Sequence, residues 1–159
     1  MRAMRTAKIA GVAALAATIL LPSGTAHAVS NPPGGGGHYL GSSISRGDTM
    51  YPGDYIDRVN DYQHEVMLVM QSDGNLVEYV STDPTSDPNP WKPCWASNTY
   101  GSGADHASYQ QDGNFVVYTP NNTPKWASNT QWGAGSTVDI NGNGVVFVGQ
   151  TPITGTCIR

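Results

Sequence analysis

Beyond residue 46, the chain alternates short apolar runs with turn-forming residues. Val, Leu, Tyr and Phe cluster in brief stretches that Gly, Asn, Asp and Pro interrupt. None of these stretches carries apolar residues at the 3.6-residue spacing of a long amphipathic helix. The pattern predicts an all-β domain of short strands joined by tight turns. Asp-Gly pairs at 73–74 and 112–113 mark two hairpins.

The predicted strands carry one polar face where an apolar face is expected. A strand that packs on a core turns alternate apolar residues towards it. In MQSDGNLVEYV (70–80), one alternation instead carries amides, a carboxylate and a phenol around a single valine. The series is Gln71, Asp73, Asn75, Val77 and Tyr79, and it recurs as Gln110, Asp112, Asn114, Val116 and Tyr118. Such a face contacts either water or a polar ligand.

The other alternation predicts the core-facing side chains. Leu76, Phe115 and Val117 are apolar and should point inward. Glu78 breaks this pattern, and we expect it near a sheet edge beside the loop 81–93.

The chain also consists of three similar units of roughly thirty residues each. WASNT occurs at 95–99 and at 126–130, and PITGT at 152–156 is a fainter copy. Each copy follows a polar series, of which the third, DINGNGVVF (139–147), is degraded. The first unit is lengthened by STDPTSDPNPWKP (81–93), which is typical of an acidic, Pro-rich surface loop.

Tryptophan opens two of the three copies. Trp95 and Trp126 are predicted to be core residues rather than platforms for a ligand. In the third copy Pro152 takes this place, so the core is expected to be asymmetric there.

Residues 1–28 have the three parts of a secretory signal peptide. Arg2, Arg5 and Lys8 precede an apolar stretch, and Ala26-His27-Ala28 is a small-x-small cleavage site. We therefore expect a secreted, extracellular protein with no membrane span in its mature form. A retained N-terminal anchor is the alternative.

The mature chain divides into a leader and one domain. Residues 29–46 are rich in Gly, Pro and Ser, which predicts a flexible leader before a folded domain over 47–159. Removal of the signal peptide changes the net charge from −4 to −7, because it takes away three of the eight basic residues and none of the twelve acidic ones. Such a chain is a poor candidate for binding nucleic acid.

The two cysteines, Cys94 and Cys157, predict one disulfide in an exported protein. Two free thiols, or thiols paired between chains, are the alternative.

At this point the residues resemble a known family. The series Gln-x-Asp-x-Asn-x-Val-x-Tyr, the DGNLV hairpin and the WASNT strand are similar to the bulb-type mannose-binding lectins of monocots and their bacterial relatives. The resemblance runs from about Gly47 to Thr156, and we expect a secreted bacterial member. It implies a β-prism II fold, in which three four-stranded antiparallel sheets surround a pseudo-threefold axis. Closing the prism protects sheet edges that would otherwise be exposed.

The resemblance also implies a shallow mannose pocket on each polar face. In the family, the Gln, Asp, Asn and Tyr positions hydrogen-bond sugar hydroxyls, and the Val position packs on the C–H patch of the ring. These roles fall to the two intact series given above, 71–79 and 110–118. The implied partners are mannose-containing glycans, and neither an enzyme activity nor a cofactor is expected.

The third series departs from the motif and is expected to bind weakly or not at all. Its positions are filled by Asp139, Asn141, Asn143, Val145 and Phe147. The same stretch is a near miss for a calcium loop, but Gln150 replaces the essential glutamate, so no metal site is predicted.

The cysteine positions differ from those of the plant lectins. We expect the Cys94–Cys157 bond to hold the C-terminal strand on its own protomer, which argues against a plant-like strand-exchanged dimer, although an oligomer remains possible. The alternative function is a lectin-fold interaction module or lectin-like antibacterial protein with vestigial sugar sites, for which the 81–93 loop would be the contact surface.

Overall fold

The computed structural model describes Pro33 and residues 37–83 and 90–158. The predicted signal peptide (1–28) and part of the 81–93 loop lie outside the described residues. Within the described part of the chain, no helix is long and apolar enough to cross a membrane.

The described residues form twelve strands in three four-stranded antiparallel sheets, which confirms the predicted all-β architecture. The strands are β1 (Ser43–Ser45), β2 (Thr49–Met50), β3 (Tyr55–Val59), β4 (Glu65–Met70), β5 (Leu76–Ser81), β6 (Lys92–Ala96), β7 (His106–Tyr109), β8 (Phe115–Tyr118), β9 (Pro124–Ala127), β10 (Thr137–Ile140), β11 (Val146–Val148) and β12 (Thr151–Pro152). Sheet 1 has the order β3-β4-β5-β6, sheet 2 β2-β7-β8-β9, and sheet 3 β1-β10-β11-β12.

Each repeat supplies most of one sheet, but the N-terminal segment completes two of them. Strand β1 pairs with β10 in sheet 3, and β2 pairs with β7 in sheet 2. The ordered fold therefore begins before residue 47, within the segment predicted to be a flexible leader. Leu40 already donates from its backbone N–H to the Tyr55 carbonyl, at 2.9 Å. The composition of this segment did not reveal its strands, because a Gly- and Ser-rich backbone can still pair with a neighbouring strand through its main-chain N–H and C=O groups.

The core lies between the three sheets and is built from the predicted inward positions. Leu76, Phe115 and Val117 are fully buried, as expected. Trp95 and Trp126 pack against this core with ring centroids 5.3 Å apart in an edge-to-face arrangement, which confirms their predicted structural role. In sheet 3, Thr151 stands opposite Val148 as Trp126 stands opposite Val117. The position that lacks tryptophan is therefore Thr151 rather than Pro152.

Glu78 lies in the core, so the prediction that placed it near a sheet edge was wrong. It is fully buried on β5, an inner strand, between Leu68 and Trp95. Neither carboxyl oxygen has a hydrogen-bonding partner among the described residues. Burial raises the pKa of Glu78 to about 7, and the Thr154 side chain opposes this rise. A carboxyl group at this position is tolerated because it can be buried in its neutral form.

Cys94 on β6 and Cys157 after β12 form a disulfide within the chain, with their Cα atoms 5.6 Å apart. The disulfide joins the first repeat to the C-terminal segment. This segment also contacts the third hairpin, because the Cys157 N–H donates a hydrogen bond to the Gly144 carbonyl at 3.1 Å. The predicted pairing is therefore confirmed.

The raised pKa of Glu78 predicts a stability that falls as pH rises. The folded state holds the proton up to a pH of about 7, whereas the unfolded state releases it near pH 4.5, so stability present below pH 4.5 is lost between these values. Val117 and Val148 occupy the equivalent positions in the other sheets. We expect Glu78→Val to raise the free energy of unfolding by about 3 kcal/mol more at pH 8 than at pH 4.5.

Urea unfolding of both proteins, followed by tryptophan fluorescence at the two pH values, checks this prediction. Some decline should persist in the variant, because burial and the neighbouring Asp57 also raise the pKa of Glu65 to about 7. Equal effects of the substitution at both pH values would contradict an ionisable role for Glu78.

The disulfide closes a loop with a sequence separation of 63 residues. We expect Cys94→Ala with Cys157→Ala to lower the free energy of unfolding by about 4 kcal/mol, because the open chain gains entropy when unfolded. Urea titration of the oxidised protein and the double variant measures the loss. An unchanged denaturation midpoint would contradict this role.

Candidate functional site

Each polar series is carried by one hairpin. In the first, Gln71, Asp73 and Asn75 lie in the turn between β4 and β5, while Val77 and Tyr79 lie on β5. The Gln71 N–H donates to the Asn75 carbonyl at 2.8 Å and closes the turn. The second hairpin has the same closure between Gln110 and Asn114, also at 2.8 Å. The sequence therefore places two copies of one local structure in different sheets.

Glycine at the centre of each turn is required by backbone geometry. Gly74 and Gly113 have φ angles of 86° and 90°. These positive angles lie in a region that residues other than glycine rarely adopt. A Cβ atom on Gly74 would also lie 2.5 Å from the Ala104 carbonyl oxygen. These glycines hold the neighbouring Asp and Asn side chains in position.

The glutamine and tyrosine of each series hydrogen-bond to each other. Gln71 donates from Nε2 to the Tyr79 hydroxyl oxygen at 3.0 Å, and Gln110 donates to Tyr118 at 2.8 Å. This contact uses an amide donor and a phenol acceptor. It leaves the amide oxygen able to accept and the phenol O–H able to donate.

The aspartate of each series caps its own turn. Oδ1 of Asp73 accepts the Asn75 N–H at 2.9 Å, and Oδ1 of Asp112 accepts the Asn114 N–H at the same distance. Only one carboxylate oxygen takes part in each cap. The second oxygen is a charged acceptor that can serve a ligand.

The asparagine is held from behind by the WASNT strand. Oδ1 of Asn75 accepts from the Ser97 hydroxyl and from the Thr99 N–H, both at 3.1 Å. The Thr99 hydroxyl donates to the Gly74 carbonyl at 2.6 Å. The second hairpin repeats these contacts with Asn114, Ser128, Thr130 and Gly113. Because the carbonyl oxygen is committed, the side-chain NH2 group is what each asparagine can offer to a ligand.

Sequence reasoning missed the role of these serines and threonines. The intact repetition of Ser and Thr in both WASNT copies was the signal that could have revealed it. Their hydroxyls are partners of the polar turn rather than part of a strand surface.

Each series thus has two acceptors and two donors that its internal hydrogen bonds do not use, with Asn114 only 6% exposed. The acceptors are the glutamine oxygen and the second aspartate oxygen, and the donors are the asparagine NH2 group and the tyrosine O–H. Neighbouring hydroxyl groups of a sugar both donate and accept, so this alternation suits a hydroxyl-rich ligand.

The valines contribute less surface than the resemblance implies. Val77 is 3% exposed and Val116 is 2% exposed. Their main role in the structure is packing beneath the polar groups. Their contact with the apolar side of a sugar ring stays a prediction.

The third hairpin needs a correction of two residues in its alignment. The pairing of Ile140 with Val146 matches that of Met70 with Leu76 in sheet 1. Backbone bonding agrees, since Asn141 N–H donates to the Val145 carbonyl as Gln71 does to Asn75. The five positions of the motif are therefore filled by Asn141, Asn143, Val145, Phe147 and Gly149.

None of these five residues matches the motif residue at its position. The sequence alignment had instead placed Asp139 first, but Asp139 lies on β10 opposite Ser43 and Phe147. It went wrong because the spaced Asp and Asn residues of DINGNGVVF imitate the motif. The true register follows the Asn143-Gly144 turn, which corresponds to the Asp-Gly turns.

No described group of His, Cys, Asp and Glu side chains is arranged to hold a metal ion.

The two intact series have different surroundings. Beside the first, Tyr55, Met67 and Val69 form a small apolar cluster with Tyr79 and Trp91. Gln71 in this series also approaches the Pro33 carbonyl at 3.4 Å.

Beside the second series, His106 stacks on Tyr118 at 5.6 Å, and the His106 Nδ1 atom lies 2.6 Å from an Asp105 carboxylate oxygen. The second series is therefore the more polar of the two.

Known proteins have similar sequences and a similar architecture. Plumieribetin, a B-type lectin of Scorpaena plumieri, is 34% identical over 90 residues, which cover 57% of this chain and 68% of that lectin. A mannose-specific lectin of Aloe arborescens is 43% identical over 96 residues, which cover 56% of this chain and 76% of that lectin. For three other mannose-specific lectins, the chain spans 41% to 58% of their length. No protein-family profile matches the chain.

A solved structure extends the match to the fold. The snowdrop (Galanthus nivalis) mannose-specific agglutinin, complexed with methyl-α-D-mannoside, is 32% identical with a TM-score of 0.54. The match covers 74% of this chain and 97% of the snowdrop chain. These relatives are lectins, which bind carbohydrate without transforming it, and their fold is the predicted β-prism II. The chain therefore belongs to the bulb-type mannose-specific lectin family, whose members are not enzymes.

Proposed function

We propose that this protein is a secreted lectin that binds mannose-type glycans through the first and second hairpins. The observation that carries the proposal is the matching arrangement of hydrogen bonds in the two hairpins. In both, internal contacts occupy one group of each polar side chain and leave the other group for a ligand. The match to mannose-specific lectins supports mannose as the sugar.

The same groups explain how one hexose could be preferred over another. An axial hydroxyl, as at C2 of mannose, meets the aspartate and asparagine only if it lies where their donor and acceptor point. A sugar without it would leave polar groups of the site unpaired, at a cost of about 1–3 kcal/mol.

Binding at one shallow site is expected to be weak. A millimolar dissociation constant corresponds to about −4 kcal/mol. Two sites on one chain would raise the affinity for a surface that carries many mannose residues, because the second contact becomes intramolecular. Secretion is consistent with this role and is supported by the signal-peptide pattern of residues 1–28.

The proposal excludes the third hairpin from sugar binding. Asn141 and Asn143 replace the glutamine and the aspartate, and Gly149 replaces the tyrosine. Oδ1 of Asn141 accepts the N–H groups of Asn143 and Val145, at 2.9 and 3.0 Å. The five motif positions of this hairpin therefore supply neither a carboxylate nor a phenol.

Asp73→Asn and Asp112→Asn test the two sites separately. An asparagine can keep the Oδ1 cap but turns the second acceptor into a donor, so the turn is retained while the ligand contact is lost. We expect each variant to lose one of the two sites for methyl α-mannoside, with affinity at that site at least roughly tenfold weaker. Titration calorimetry measures the binding.

The double variant should bind no mannoside while it retains its circular dichroism spectrum. Asn143→Ala in the third hairpin is the matched control and should bind as the unmodified protein does. Unchanged binding in the double variant would refute the assignment of these carboxylates.

Ser128→Ala with Thr130→Val tests the support behind the second site. Neither hydroxyl is proposed to touch the sugar, but both hold Asn114 and Gly113 in place. We expect roughly tenfold weaker mannoside binding at the second site and no change at the first. Chemical shifts of the Asn75 and Asn114 side-chain amides distinguish the two sites. Equal losses at both sites would point to general destabilisation instead.

A further inference from the structure

Trp132 combines two features that are costly for a tryptophan. Its φ angle is 63°, in the left-handed region that bulky residues rarely adopt. Its side chain is 85% exposed, more than any other large hydrophobic side chain in the described part of the protein. Strained residues that gain no packing in return concentrate at functional sites.

The first repeat shows that the fold does not need a tryptophan here. Gly101 occupies the equivalent position, with a φ angle of 66°. Its N–H donates to the Asp73 carbonyl at 3.1 Å, as the Trp132 N–H donates to the Asp112 carbonyl at 2.6 Å. Glycine suits this backbone without strain. The tryptophan is therefore a feature of the second repeat rather than a requirement of the turn.

The backbone of Trp132 is bonded to the residue that gives the second site its carboxylate. The hydrogen bond to the Asp112 carbonyl fixes the start of the indole side chain at the edge of the polar turn. Trp132 is therefore adjacent to the residue whose carboxylate is proposed to bind the sugar.

The loop that carries Trp132 is held rigidly against the same turn. The Arg46 guanidinium donates from Nη2 to the carbonyls of Gly133 and Gly135, both at 2.8 Å, and from Nη1 to the Gln111 carbonyl at 3.2 Å. One arginine thus joins the loop to the turn next to Asp112. An aromatic ring on a fixed loop binds with little loss of conformational entropy.

We propose that Trp132 extends the second site and packs against the sugar unit next to the mannose that this site holds. This inference rests on the proposed function. A flat indole complements the apolar C–H face of a pyranose ring, and its N–H can donate to a hydroxyl. The first site has Gly101 instead, so the two sites differ in the length of glycan they favour. A glycan is the occupant that fits, since the Trp132 backbone is bonded to Asp112, which belongs to the donor and acceptor set of the second hairpin.

The experiment compares methyl α-mannoside with a linear mannotriose. It uses Asp73→Asn as the background, so that only the second site binds, and adds Trp132→Gly. Gly101 shows that glycine is accommodated in this conformation, and thermal unfolding verifies that the variant folds. We expect roughly tenfold weaker mannotriose binding and unchanged methyl mannoside binding.

Tyr62→Ala is the matched control. Tyr62 is 80% exposed and lies near the third hairpin, beside Gly142 and Asn143. Its replacement should change neither ligand.

Two results would overturn the inference while the proposed function stands. One is mannotriose binding that is unaffected by Trp132→Gly, and the other is an equal loss for both ligands, which would mean that Trp132 acts only through the shape of the turn. If the Asp73→Asn background binds neither ligand although the second hairpin is intact, the proposed function fails and the inference fails with it.

Discussion

The polar surface depends first on the hydrogen bonds that the WASNT strand makes to the back of each turn. The serine hydroxyl and the threonine backbone N–H both donate to the asparagine oxygen, and the threonine hydroxyl donates to the glycine carbonyl. The backbone N–H can only donate, so it fixes which end of the asparagine amide faces away from the strand. The left-handed glycine and the aspartate cap complete a turn whose remaining donors and acceptors are fixed in advance. Such preorganisation matters most for a shallow site, which has little buried area to offset the ordering of its own side chains.

The three-sheet core sets the positions of these turns and tolerates strong asymmetry. Two tryptophans pack edge to face against the core, while the third sheet has Thr151 at the corresponding position. A buried carboxyl group with a raised pKa replaces valine in the first sheet. The Cys94–Cys157 bond joins the two units that depart most from the common pattern. The second repeat, which carries neither the buried carboxyl nor the bond, contains the more polar site and the exposed tryptophan.

Alternation, Asp-Gly turns and exact repetition are local signals, so they were sufficient to predict the all-β class and the position of the two intact hairpins. The arrangement of three sheets came from the resemblance to bulb-type lectins. The sequence was insufficient for Glu78, whose burial depends on the surrounding sheets rather than on its neighbours in the chain. It also misaligned the third hairpin, where Asp139 imitates the motif although the strand register excludes it. The pairing of Ser43–Ser45 with β10 spans most of the chain, and no local pattern announces such a contact. Trp132 was not predicted to be functional for the same reason, since its significance lies in its positive φ angle and in Gly101 at the equivalent position of the first repeat.

The most direct test follows the side-chain NH2 signals by nuclear magnetic resonance while methyl α-mannoside is added to the protein produced without residues 1–28. If both intact hairpins bind mannoside, the signals of Gln71, Asn75, Gln110 and Asn114 move as the sites fill, while those of Asn141 and Asn143 stay in place. Movement of the third-hairpin signals, or no movement in either intact hairpin, would contradict this assignment.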